Sequence, residues 1–164
     1  MKAYDLLAKN PEHADFAYRA TQRLSVRSGD VSVQRDAAEK IAERAREDPN
    51  AAAQLAYLNL LIGTDIEGNA AAAKALVEKY LDRLSYRVTL ALAYLRRHDP
   101  GLAVAQFKQE GAPPIDWQKA PLGWRAVYAA ALLGSEQPDA AREIIDTIAL
   151  DKLTPEERAL IEQK

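Results

Sequence analysis

The sequence predicts an all-α fold in which helical hairpins stack side by side, an α-solenoid. Residues 87–107 recur as residues 125–145, displaced by 38 positions without a gap, and six of the 21 aligned positions are identical. Only seven glycines occur among 164 residues, and the apolar segments are rich in alanine, a strong helix former. A two-helix unit cannot bury its apolar face alone, so the repetition requires neighbouring hairpins.

The 38-residue spacing also appears outside the central repeat. Pro11 and Pro49 are separated by the same distance as Pro100 and Pro138. The identical positions of the central repeat are Arg87/Arg125, Ala91/Ala129, Ala93/Ala131, Leu95/Leu133, Pro100/Pro138 and Ala103/Ala141. The array is therefore expected to extend over most of the chain.

Composition narrows the possible functions. A chain of 164 residues suits one domain that buries roughly 70% of its unfolded surface. The net charge is -2, from 22 basic and 24 acidic residues mixed along the chain, which disfavours nucleic acid as a partner. Cysteine is absent, which excludes disulfides, thiol catalysis and thiolate zinc sites.

No apolar run approaches the length of a membrane span, and residues 1–10 lack the apolar core of a signal peptide. We therefore expect no membrane insertion and a soluble domain, with the cytoplasm favoured. A soluble domain cut from an exported or anchored protein would have the same composition.

Prolines and capping residues divide the N-terminal part into helices. Residues 1–10 are expected to be a partial repeat or an N-terminal helix. A hairpin follows over residues 11–48, with Pro11 opening its first helix and Ser28-Gly29-Asp30 separating the two helices. The helical spacing predicts that the first helix buries Phe16, Ala17, Ala20, Leu24 and Val26.

Two further hairpins are expected at residues 49–82 and 83–110. The first helix of the earlier hairpin is apolar on nearly every face up to residue 62, which requires neighbours on two sides. Its second helix follows a small insertion, and its N-cap is predicted to be Thr64, paired with Glu67 in a capping box, or Asn69. In the later hairpin, Asp99 is the expected N-cap of the second helix.

The repeat pattern fails after residue 110. Residues 111–120 hold Pro113, Pro114 and Trp117, which exclude a continuous helix and predict an ordered loop. A hairpin over residues 121–150 resumes the pattern. Thr154 with Glu157 forms the signature of a helix start, so residues 154–164 are expected to cap the open end of the stack.

The central unit resembles the tetratricopeptide repeat (TPR), a pair of antiparallel helices with small and large residues at fixed spacings. Leu90, Ala91 and Tyr94 match the first helix of that repeat, and Ala103 and Phe107 match the second. The period of 38 departs from the family's usual length of about 34 residues, so a related helical-hairpin array is the alternative. The resemblance implies a right-handed superhelix of about ten helices.

Repeats of this family usually bind a peptide or helix in a concave groove lined by their first helices. The resemblance implies that the groove is lined by Leu55, Leu58, Val88, Leu92, Leu95 and Ala130, with Ala51, Ser85, Gly123, Ala126 and Leu133 beside them. None of these is Lys, Arg or Asn, so the groove differs from the kind that grips a terminal carboxylate. An apolar groove would accept an amphipathic helix or apolar peptide, or be closed by the chain's own loop at residues 113–122.

A second candidate surface is a basic stripe of three arginines spaced four residues apart. Arg19, Arg23 and Arg27 share one face of a predicted helix. They would dock an acidic partner, or form a solvated face offset by the nearby acidic residues Asp15, Asp30 and Asp36. The second interpretation is favoured.

Trp117 and Trp124 are the remaining candidates for a binding site. With the surrounding prolines they would form an aromatic platform, or the two tryptophans would anchor the long loop, which is favoured. His13 and His98 stand apart from any metal-ligand spacing, and no phosphate loop or nucleophile motif occurs. We expect no catalytic residue, no metal and no cofactor.

The sequence as a whole predicts a non-catalytic interaction or scaffold module that presents an apolar groove to a protein or peptide partner. The alternative is a structural spacer or dimerisation domain whose groove is filled internally, with homo-oligomers possible. A helical enzyme or small-molecule binder is less favoured, because no chemical constellation supports it.

Overall fold

A computed structural model describes residues 8, 10 and 13–162. Over these residues the chain forms nine α-helices and no strand, which confirms the predicted all-α class. The helix predicted within residues 1–10 lies outside the described residues. The helices are α1 (Ala14–Ser28), α2 (Val31–Arg44), α3 (Pro49–Leu61), α4 (Ile66–Lys79), α5 (Leu84–Arg96), α6 (Pro100–Ala105), α7 (Leu122–Gly134), α8 (Pro138–Ile145) and α9 (Pro155–Ile161).

Helices that are close in sequence pack against one another. The pairs α1–α2, α3–α4, α5–α6 and α7–α8 contact as hairpins, and each hairpin contacts the next through α2–α3, α4–α5 and α6–α7. The first helices also touch, α3 with α5 and α5 with α7, and α9 packs on α7. We call the surface shared by α3, α5 and α7 the first-helix face.

Side-chain caps explain where several helices begin. Asp30 accepts a hydrogen bond from the backbone N–H of Val33 at 3.0 Å, and Asp99 accepts one from Leu102 at 3.2 Å. Thr154 and Glu157 form the predicted capping box at the start of α9. These residues satisfy N–H groups that have no partner within the helix.

The N-cap of α4 is Asp65, so the prediction of Thr64 or Asn69 was wrong. Asp65 adopts a left-handed conformation with φ of 44° and accepts from the N–H of Gly68 at 3.2 Å. The Asn69 side chain instead donates to the backbone carbonyls of Thr64 and Asp65. The Asn69 side chain, from within α4, therefore stabilises the turn that precedes the helix.

The predicted buried stripe of α1 was also wrong in part. Phe16, Leu24 and Val26 are 58%, 40% and 59% exposed. Ala17 and Ala20 are buried as predicted, and the helix packs through these and other small side chains, which include Ser25. Small residues at this spacing let α1 approach α2 closely, and that leaves the larger apolar side chains outside the contact.

The core lies along α5 and α7. Val88, Leu92 and Val127 have no exposed surface, and Leu132 is almost as fully buried. The repeated alanines Ala91, Ala93, Ala129 and Ala131 are also fully buried. Because alanine has only a methyl group, these positions allow the first helices to pack at short distances.

The repeated arginine has the same structural role in both copies. Arg87 is buried and donates to the backbone carbonyl of Gln106, next to the end of α6, at 3.3 Å. Arg125 donates to the carbonyl of Thr147, just beyond α8, at 2.9 Å. Each guanidinium thus links the first helix of its hairpin to a backbone carbonyl at or just beyond the end of the second.

Candidate functional site

The first-helix face is partly covered by the chain's own C-terminal helix. α9 packs on α7, and Glu157 near its start reaches across to α3. The Tyr57 hydroxyl donates to Glu157 Oε1 at 3.4 Å. Contact between residues 100 positions apart shows that α9 lies over this face.

Gly123 at the start of α7 makes room for this contact. A Cβ at this position would overlap the Glu157 carboxylate and would stand 3.0 Å from the Tyr57 hydroxyl oxygen. Any other residue would have to displace the glutamate side chain. Glycine here leaves the space that the Glu157 carboxylate occupies.

The Glu157 carboxylate makes two structural contacts. Its Oε2 accepts from the backbone N–H of Thr154 at 3.1 Å, which completes the capping box. Its Oε1 faces Tyr57, whose hydroxyl is withdrawn from water. Burial, reinforced by the negative charge of Glu157, raises the pKa of Tyr57 well above its ordinary value. The phenol therefore stays protonated and remains a hydrogen-bond donor.

A cavity of about 480 Å³ opens beside Tyr57, and we call it the amide pocket. Its walls come from α1, α2, α3 and α5 and from the start of α7. They carry aromatic, aliphatic, amide and hydroxyl groups, and no charged side chain. The lining residues are Val26, Gln34, Asn50, Ala53, Gln54, Tyr57, Leu58, Ser85, Tyr86, Thr89, Pro121 and Trp124.

A second cavity of about 610 Å³ includes Leu160 of α9 in its wall, and we call it the leucine cavity. Leu95, Ala130 and Leu133 form its apolar surface. Arg96 also lines it, but its guanidinium donates to the carbonyls of Leu60 and Leu61 at the end of α3. The Arg96 side chain therefore has a structural role. His98 also lines the cavity, and most of the other lining residues are apolar.

The predicted groove residues divide between surface and core. Leu58 lines the amide pocket, and Leu95 and Ala130 line the leucine cavity. Val88 and Leu92 lie in neither, because α5 is enclosed by its neighbours and both side chains are fully buried. Leu55 is half-buried against the main core. Val88 and Leu92 thus have no surface to offer a partner.

The basic stripe is exposed. Arg19, Arg23 and Arg27 all lie at the surface, and the last two border a shallow depression of about 330 Å³ with Phe16 and Leu24. Two of the three expected acidic neighbours have other roles, since Asp30 caps α2 and Asp36 pairs with Arg35 at 3.2 Å, and the side chain of Asp15 lies outside the described part of the chain. Within the described part of the chain, none of the three guanidiniums forms an ion pair.

Trp117 packs inside an aromatic cluster. Its ring stacks on Tyr128 with centroids 4.3 Å apart and meets the edge of Phe107 at 5.3 Å. These contacts tie the proline-rich loop to α7 and to the segment after α6, as expected of an anchor. Trp124 lies elsewhere, on the wall of the amide pocket.

Sequence reasoning missed the contact of Tyr57, Gly123 and Glu157. Glu157 was recognised only as a capping residue, and nothing in the repeat pattern connects Tyr57 with it. The available signal was a glycine near the start of an otherwise apolar helix. Glycine lowers the stability of a helix, so its presence suggests that a neighbouring group needs the space.

Among the side chains that the structure describes, no three His, Asp or Glu residues lie close enough together to hold a metal ion. The described helices include none with both the length and the apolar character to cross a membrane.

The chain matches no protein-family model, no curated protein and no solved structure. Its function is therefore inferred from the side chains of the first-helix face.

Proposed function

We propose that the chain is a non-catalytic protein-interaction module that binds a short uncharged peptide segment in the amide pocket. In this proposal the hairpins form a TPR-like right-handed superhelix, and the first-helix face is its concave side. The observation that carries the proposal is the pocket's lining. A volume of about 480 Å³ lies within the range of roughly 300–1,000 Å³ typical of ligand sites.

The lining suits a peptide backbone with apolar side chains. Trp124, Tyr57 and Leu58 supply aromatic and aliphatic surface, and amide side chains lie among them. Gln54 is exposed, and its side chain forms no hydrogen bond to other described residues. An amide both donates and accepts, so Gln54 can pair with the N–H and C=O of a bound peptide.

Charge argues against other ligands. A terminal carboxylate or a phosphate would leave water without meeting a cation in this lining, which is unfavourable. The pocket's titratable groups are Tyr57 and Tyr86, and burial raises the pKa of both hydroxyls. Neither would exchange protons near neutral pH, so general acid or base catalysis has no evident agent here.

A structural spacer is the second candidate, and α9 is the observation that favours it. Leu160 is buried in the same hydrophobic cluster as Leu58 and Ala130, so part of the first-helix face is filled from within. A spacer would need no external ligand.

A peptide selection separates the two candidates. We expect peptides selected on the wild-type chain to be uncharged and apolar, and Gln54→Arg to weaken their binding at least tenfold by filling the pocket with an unpaired cation. Gln118→Arg, on the exposed loop, is the matched control and should leave the dissociation constant unchanged. Fluorescence polarisation of the labelled peptides measures both.

Peptides that bind the wild type and Gln54→Arg equally would refute the amide pocket as the binding site. A selection that yields no peptide above background would favour the spacer.

A further inference from the structure

We infer that the seat of α9 on the first-helix face is itself a docking site for a partner helix. That helix carries a glutamate followed by apolar branched residues three and four positions later, as Glu157, Leu160 and Ile161 do in α9. This inference rests on the proposed interaction function and adds the chemistry of a second partner segment. In the isolated chain, α9 holds the place of that partner.

The glutamate position is recognised by two elements. Tyr57 on α3 donates its hydroxyl to the carboxylate, and Gly123 on α7 leaves the space that the carboxylate fills. A glutamine at the same position would weaken the bond, since a charged acceptor binds a donor more strongly than a neutral one. The seat therefore selects an acidic residue at the start of the helix.

The leucine position is recognised by the leucine cavity. Leu160 is buried, whereas Leu133 in the same wall remains 37% exposed. Ala130, whose side chain is only a methyl group, lines the same cavity. The cavity of about 610 Å³ is thus incompletely filled by α9. A longer helix with the same apolar stripe would cover more of it.

The spacing of the three recognised residues requires the partner segment to be helical. Residues separated by three and four positions share one face of an α-helix, so Glu157, Leu160 and Ile161 can all face α7 and α3 together. In an extended peptide successive side chains alternate between two sides, and the residues corresponding to Leu160 and Ile161 would point apart.

α9 is short enough to be displaced. It contains seven residues, and a helix of that length is unstable alone in water, so its order depends on the seat. A single turn of 3-10 helix at Leu150–Lys152 connects it to the hairpin before it. Because α9 is part of the same chain, its local concentration at the seat is on the order of millimolar. A partner helix must compete with it and can bind only those molecules in which α9 has left the seat.

Binding in trans tests the inference with the chain of 164 residues. Leu160→Ser removes the apolar anchor of α9 and should open its seat without changing the receptor side of the contact. The probe is a fluorescein-labelled peptide with the sequence of residues 150–162 and blocked ends. We expect it to bind Leu160→Ser at least tenfold more tightly than the wild type.

The contact residues should then determine the affinity. A probe with glutamine in place of Glu157, or alanine in place of Leu160, is expected to bind Leu160→Ser several-fold more weakly. Adding Tyr57→Phe to the receptor should weaken the unmodified probe by about fivefold, the usual effect of one hydrogen bond. Circular dichroism checks that each receptor is folded. If Leu160→Ser does not fold, Glu157→Gln serves as the opened receptor.

Equal binding to the wild type and to a folded opened receptor would overturn the inference, as would equal binding of the glutamine probe. Adding Val26→Arg, on the α1 wall of the amide pocket, to the opened receptor keeps the two proposals distinguishable, because Val26 takes no part in the contacts of α9 described above. It should leave the helical probe's affinity unchanged while it weakens binding of the uncharged peptides. If only the helical probe fails to bind the opened receptor without Val26→Arg, the further inference is wrong, and if only the uncharged peptides fail to bind it, the proposed function is wrong.

Discussion

Leu92→Asp is expected to unfold the chain. Leu92 has no exposed surface and lies in the middle of α5, which α3, α4, α6 and α7 surround. A carboxylate placed there would be buried without a partner, and the leucine's packing would be lost. Together these effects cost at least about 4 kcal/mol, a large part of the total stability of a small domain.

Urea denaturation followed by circular dichroism measures this loss. Leu92→Met is the matched control, because it preserves volume and polarity and should cost less than about 1.5 kcal/mol. A folded, cooperative Leu92→Asp chain would show that this side chain faces an open groove, as the repeat pattern alone implied, and would contradict the position of α5 in the core.

Trp117→Ala is expected to destabilise the chain by about 3 kcal/mol. The alanine would leave the face of Tyr128 and the edge of Phe107 uncovered, at a place where three aromatic rings pack together. The proline-rich loop would then lose its apolar anchor. Arg125 would still hold the loop through the carbonyl of Ala120 at 2.9 Å, so we expect local opening to precede global unfolding.

Limited proteolysis and the urea midpoint report these two effects separately. Cleavage within residues 108–120 should become faster in Trp117→Ala. Trp117→Phe should keep most of the wild type's resistance to the protease and lower the free energy of unfolding by only about 1 kcal/mol. Unchanged stability and unchanged cleavage would contradict the anchor and favour an exposed platform for a ligand.

Much of the helical arrangement followed from local signals in the sequence. Asp99 and Thr154 each precede a helix and satisfy its first N–H groups, which depends only on neighbouring residues. The apolar character of α3 on all faces required neighbours on two sides, and α2, α4 and α5 supply them. These features depend on short-range chemistry that a single sequence records.

The errors arose where distant segments decide the outcome. Helical spacing placed Phe16 and Leu24 toward the interior, but α1 packs through its small residues and leaves both exposed. The repeat pattern placed Leu92 on the groove, although the hairpins around α5 enclose it. Periodicity shows which residues share a face, and it does not show how closely the next element covers that face.

The site was harder to predict than the fold. Tyr57 and Glu157 are 100 positions apart, and nothing in either segment indicates that they touch. The amide pocket likewise combines residues from five helices, so its uncharged lining becomes visible only when those helices are assembled.

Hydrogen exchange of the amides in residues 158–162 tests most directly whether α9 occupies the first-helix face. We expect clear protection in the wild type and at least tenfold faster exchange in Gly123→Ala, where the added methyl group displaces the Glu157 carboxylate. The amides of α5 and α7 should exchange equally slowly in both proteins. Exchange of residues 158–162 at the rate of an unstructured peptide in the wild type would contradict the account.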